Sequence, residues 1–104
     1  MYRGTTPTIT YNLTTSLDLT KITALWVTLK NNEDKITFTL DDSEVTFNTT
    51  EGTIKLELTQ QQTLDFKTGV IKTQIRFLME DGMAYATPIK MLNVNEILKD
   101  GVIS

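Results

Sequence analysis

Glu80-Asp81-Gly82-Met83 separates two runs of alternating polarity, Gln74 to Met79 and Ala84 to Pro88. Asp-Gly supplies two residues that tolerate positive φ, as the tight type I′ connection between antiparallel strands requires. A two-residue turn there pairs Met79 with Ala84, Phe77 with Ala86 and Ile75 with Pro88. One face of the ribbon then carries Ile75, Phe77, Met79, Ala84 and Ala86, and reads as a core face. The opposite face carries Leu78, Met83, Tyr85 and Ile89 beside Gln74 and Arg76. A contiguous apolar group on one ribbon usually marks an interface, and Tyr and Arg are the types enriched where interface energy concentrates. Arg76, Leu78, Met83, Tyr85 and Ile89 are therefore the candidate interface residues. The competing expectation is that the C-terminal tail covers them, with Val94, Ile97 and Leu98 folding back.

Upstream of the hairpin the chain is a series of short segments with period two. Ile9, Tyr11 and Leu13 alternate with Thr8, Thr10 and Asn12, behind a Pro7 that suits a strand start or an edge. Ile36, Phe38 and Leu40 point inward from the next such segment, then Val45 and Phe47, then Ile54, Leu56 and Leu58. Turns are expected at Asn31-Asn32-Glu33-Asp34, Asp41-Asp42-Ser43 and Asn48 to Gly52. Ile22 to Lys30 is apolar in both phases, Leu25, Val27 and Leu29 against Ala24 and Trp26. It reads as a central strand covered on both sides, or one whose Trp26 lies under a loop. Trp26 is expected in the core, as a large aromatic in the most apolar segment. Threonine supplies about a fifth of the residues, which suits the exposed positions of a pleated surface.

Thr59-Gln60-Gln61-Gln62 has the spacing of a capping box and predicts a single helical turn. Leu64 and Phe66 follow, tucked under the sheets, and Gly69 lets the backbone re-enter a strand. Pro88 cannot donate a ladder bond, so the last strand should be bulged or exposed there. Asn95 to Lys99 is expected to make a further helical turn before Asp100-Gly101. Strands at this spacing predict an all-β fold: one immunoglobulin-like antiparallel β-sandwich of about seven strands. A helical turn between the fifth and sixth strands followed by a tight final hairpin fits that architecture. Residues 1–104 then form a single domain, with residues 95–104 as a candidate docking tail.

Composition narrows the function classes. The chain has no cysteine and no histidine, so disulfides, thiolate metal sites and the commonest general base are excluded. A net charge of −3 argues against a nucleic-acid partner, which would need a basic footprint. No stretch approaches membrane-spanning length and the opening residues lack an apolar leader, so synthesis and folding in the cytoplasm are expected. Asp41, Asp42 and Glu44, and Glu33 with Asp34, read as solvated turn carboxylates, since their spacing is not that of an EF-hand. Ser16, Ser43 and Ser104 have no histidine to activate them. Tyr2, Tyr11, Trp26 and Tyr85 are the residues a carbohydrate-binding sandwich would use for stacking, but they fall in different segments. No catalytic residue, metal site or cofactor is assigned.

Three stretches carry a resemblance. They are Tyr2-Arg3-Gly4-Thr5-Thr6-Pro7-Thr8, the segment Leu58 to Phe66 followed by Gln74-Ile75-Arg76, and Ile97-Leu98-Lys99-Asp100-Gly101. Together they resemble small proteins encoded in the virion-structure gene clusters of tailed phages and prophages of Gram-positive bacteria. The second half is more loosely similar to the immunoglobulin-like amino-terminal domain of phage baseplate upper proteins. The resemblance implies a non-enzymatic structural protein of tail or baseplate, acting through protein–protein contacts with other virion proteins and with copies of itself. It implies a location in the host cytoplasm during assembly and then in the virion. The alternative class is a module that binds a host-surface carbohydrate.

Overall fold

The computed structural model describes residues 1–13, 15–31 and 34–104. The turn expected at Asn31-Asn32-Glu33-Asp34 lies partly outside those residues. Eight strands and one short helix follow in order: β1 (Thr8–Asn12), β2 (Ile22–Lys30), β3 (Lys35–Thr39), β4 (Val45–Asn48), β5 (Thr53–Glu57), α1 (Gln60–Leu64), β6 (Gly69–Met79), β7 (Ala84–Ala86) and β8 (Lys90–Val94). A 3₁₀ turn at Leu19–Lys21 leads into β2, capped by the Asp18 side chain. The strands form two antiparallel sheets, β1-β5-β4 and β3-β2-β6-β7, with β8 also paired to β6. β7 and β8 pair with successive parts of β6, so they make one edge line interrupted at Thr87-Pro88-Ile89.

The interruption sits where Pro88 predicts it. Thr87 bridges the gap: its backbone N–H donates to Ile75 O at 2.9 Å, and its hydroxyl accepts from Ile75 N at 3.1 Å. Pairing therefore survives across a residue that cannot donate. The capping box is also present, with Thr59 Oγ1 accepting from Gln62 N and Gln62 Oε1 accepting from Thr59 N. Asn95 to Lys99 forms no helix, contrary to expectation. Asn95 instead pairs in parallel with Tyr2, because the segment Met1 to Arg3 supplies backbone partners on both sides of it.

One core lies between the sheets. Ile9, Tyr11, Ile54 and Leu56 from the smaller sheet meet Leu25, Val27, Leu29, Phe38, Ile71, Ile75 and Phe77 from the larger. Each strand contributes alternate residues, as the period-two pattern requires. Val45, Phe47, Ile36 and Leu40 sit half-buried at the margins of that core. Phe66 is buried and Leu64 half-buried beneath α1.

A polar contact crosses the core. The Tyr11 hydroxyl, from β1, lies 2.6 Å from Thr73 Oγ1, from β6, and both residues are buried. Burial pushes the Tyr11 phenol pKa up, and the Thr73 bond offsets only part of that shift. Tyr11→Phe should cost about 1–2 kcal/mol, since Thr73 loses its inter-sheet partner in a dry site. Tyr11→Phe with Thr73→Val should recover most of that loss, as measured by urea denaturation in a double-mutant cycle. Because the folded phenol holds its proton more tightly, its contribution is full below about pH 10 and falls as pH rises through the folded pKa. Tyr11→Phe should flatten that alkaline decline.

The final hairpin departs from the expected register by one residue. Leu78 pairs with Ala84, Phe77 with Tyr85 and Arg76 with Ala86. Gly82 alone in the turn has positive φ, at 86°, and no non-glycine residue among the described ones does. A type I′ turn needs positive φ at both central residues, so it is excluded. Gly82 N donates to Met79 O, and Met79 N to Met83 O, the pattern of a three-residue loop closed by a glycine bulge. The shift moves Tyr85 to the core side, where its ring stacks on Phe77 at 5.4 Å and 22°. Ala84 and Ala86 move to the outside instead. The assignment of Tyr85 to the interface face is thereby corrected.

Candidate binding face

The outer face of the larger sheet is the candidate site, and its strand registers define it. β2 lies between β3 and β6, so side chains on the outside line up in rows across the strands. Nearest the hairpin, Ala24, Leu78 and Ala84 form an apolar row. The next row is Thr39, Trp26, Arg76 and Ala86. Thr37, Thr28 and Gln74 follow, with the two threonine hydroxyls 3.2 Å apart. The last row is Lys35, Lys30, Lys72 and Met91.

Trp26 corrects the expectation of a core tryptophan, because it is 40% exposed on this face. The inward phase of β2 belongs to Leu25, Val27 and Leu29, which are essentially fully buried. The strand is central in its sheet, as expected, but only one of its faces is covered. Trp26, Thr28, Lys30, Lys72, Arg76 and Leu78 line an open groove of about 690 Å³, which Ile89 also borders.

The C-terminal tail does not cover this groove. Val94 is buried on the core side, and a Cβ placed on Gly4 would lie 3.1 Å from Ile97 Cδ1. Leu98 is 98% exposed. Ile103 instead exchanges two hydrogen bonds with the Gln60 side chain, its N–H donating at 2.8 Å and its carbonyl accepting at 3.0 Å. The tail thus docks against α1 and the N-terminal segment.

Electrostatics distinguish the face further. None of the thirteen Asp and Glu residues lies in β2, β3, β6, β7 or β8. Four cations, Lys30, Lys35, Lys72 and Arg76, project from the outside of these strands without a carboxylate partner among the described residues. Several carboxylates are engaged in turns elsewhere. Asp42 Oδ2 accepts from Thr39 N at 2.7 Å. Glu44 accepts from Gln62 Nε2 and Ser43 Oγ, both at 2.9 Å, and these bonds hold its carboxyl below the usual range. Thr20, through its hydroxyl and its backbone N–H, does the same to Asp18. Among the described residues no cluster of acidic side chains is arranged to hold a metal ion.

The candidate interface residues are therefore divided. Arg76, Leu78 and Ile89 lie along the outer groove, Met83 stands exposed at the hairpin tip, and Tyr85 belongs to the core side. The four candidate stacking aromatics do not assemble: Tyr11 is buried, Tyr85 packs on Phe77, and Tyr2 sits beside Asn95. Sequence reasoning missed the lysine row because its members come from three strands whose mutual register no local pattern encodes. No helix among the described residues is long and apolar enough to cross a membrane. Comparison with protein families, with curated proteins and with solved structures finds no match to this chain.

Proposed function

We propose that this chain is a non-enzymatic structural module of a tailed-phage particle, placed in tail or baseplate and acting through protein–protein contacts. The observation that carries the reading is an apolar group left uncovered by the chain itself. Met83 and Ala84 are exposed at the hairpin end of the larger sheet beside the half-buried Leu78, and Ile89 is exposed further along the same edge, just past β7. An open edge strand flanked by exposed apolar side chains is a surface proteins ordinarily cover. Its natural occupants are other virion proteins or a second copy of the chain. The strand order also supports the immunoglobulin-like reading. β4-β5-β1 facing β3-β2-β6-β7 follows the D-E-B and C′-C-F-G order of that fold, without its first strand.

The test is incorporation. Mass spectrometry of purified particles from a lysogen carrying the gene should find the chain in fixed proportion to the other tail proteins. Leu78→Glu with Ile89→Glu should deplete it from particles, while the isolated variant keeps its stability within about 1 kcal/mol, as surface changes do. Particles holding a full complement of the variant, or lacking the wild-type chain, would refute the reading.

Host-surface carbohydrate binding is the second reading, and the exposure of Trp26 is what favours it. An indole lying in an open groove among threonine, glutamine and cationic side chains is suited to stack on a sugar ring.

A further inference from the structure

Lys30 is paired directly with Lys35 on one neighbouring strand and with Lys72 on the other. Like charges opposite one another across a sheet destabilise it, and no carboxylate of the described chain offsets these three. The adjacent strands stand about 4.8 Å apart, so the three lysines form a compact cationic row. Four residues along β2, at about 3.3 Å each, separate that row from Trp26. Between them lies a track of hydrogen-bonding groups, Thr28, Thr37 and Gln74.

We propose that this track binds an acidic polysaccharide laid along the strands, with a sugar ring on Trp26 and the anionic substituents of the chain held by Lys30, Lys35 and Lys72. The inference rests on the carbohydrate reading above and specifies its ligand class. Hydroxyl and amide side chains between an aromatic platform and a set of cations match a ligand that alternates hydroxyl-rich rings with charges. A protein partner fits this end of the face less well, since lysine is depleted from interface cores. Single-stranded nucleic acid calls for successive stacking platforms, and this face has one aromatic side chain. Arg76, in the Trp26 row, gives the ligand a further cation near the stacked ring. Net charge points the same way: in a chain of −3, four cations gathered on one sheet face concentrate a field of the opposite sign.

Trp26 is the only tryptophan of the chain, so its fluorescence reports on this face directly. The intact chain is titrated with polygalacturonate oligomers, with neutral dextran and poly-L-glutamate as comparators. Polygalacturonate should give a saturable change in emission that weakens about tenfold or more between 50 and 200 mM salt, as expected for release of about three counterions. Lys30→Gln should reduce the affinity about tenfold and keep the wild-type fold by circular dichroism. Lys55→Gln, on the outer side of the smaller sheet, should leave it unchanged. Equal responses to polygalacturonate and dextran would overturn the acidic preference and leave the carbohydrate reading standing. An equal response to poly-L-glutamate would overturn a saccharide ligand in favour of any polyanion. Equal losses in the two lysine variants would overturn the lysine row as the site. If no saccharide changes the emission, both the inference and the carbohydrate reading fall.

Discussion

Ile75→Ala is expected to lower the free energy of unfolding by about 2–5 kcal/mol, the range for truncating a buried aliphatic side chain. Ile75 is fully buried at the centre of β6, paired with Val27 on one side and facing the smaller sheet. Its removal leaves a void that neighbouring strands, tied by ladder bonds on both sides, cannot readily close. Trp26→Ala should cost only about 1 kcal/mol, far less than the roughly 3–5 of a core tryptophan. The larger side chain thus matters less, because it projects from the opposite face of the same sheet. Urea unfolding of the two variants under one set of conditions is the measurement. A Trp26→Ala loss as large as that of Ile75→Ala would mean the indole is covered within the monomer.

Arg3→Ala should cost about 2–3 kcal/mol, because one side chain closes the C-terminal end of α1. Arg3 Nε donates to Phe66 O and its Nη2 to Leu64 O, each at 2.7 Å. Charge-assisted bonds to carbonyls are among the stronger ones, at about 1.5–3 kcal/mol each, and solvent access reduces their sum. Arg3→Lys should recover only part of the loss, since an ammonium lacks the planar fork that reaches both carbonyls. Thermal melts of the three proteins would check the order. The residues around Arg3 belong to the same junction. Thr63 Oγ1 donates to Thr5 O at 2.9 Å. Gly4 has φ +69°, and a Cβ there would crowd Leu64 and Ile97. The segments around Arg3, α1 and Ile97 therefore meet at one end of the sandwich, whereas Gln74-Ile75-Arg76 lies in the middle of β6. Arg3, Thr63 and Gly4 are accounted for at that junction by capping and packing.

Much of the fold was legible because strand periodicity is a local code. Ile9 and Tyr11, or Ile54 and Leu56, announce an inward face within five residues, and burial follows that phase in every such strand. The Thr59–Gln62 capping box and the Pro88 interruption were equally local, each tied to a backbone group within a few residues. Two features were not legible. β2 is apolar in both phases, so its own residues do not say which phase is inside. Asp81-Gly82 suits two hairpin turns, since either needs glycine in the left-handed region, and they differ by one residue of register.

Alternation, capping, proline placement and the lack of cysteine and histidine determine, from the sequence alone, an all-β antiparallel chain without thiol or imidazole chemistry. Tertiary structure decides which side of each sheet meets the other, and hence what the protein presents outward. Tyr85 turned inward because its ring fills space against Phe77 while Thr87 keeps Ile75 bonded across the proline. Trp26 turned outward because Leu25, Val27 and Leu29 fit the space opposite Ile54 and Leu56. Lys30, Lys35 and Lys72 became neighbours only when β2, β3 and β6 paired. Strand register is a long-range property, set by side-chain packing across sheets, and the binding face is written in it.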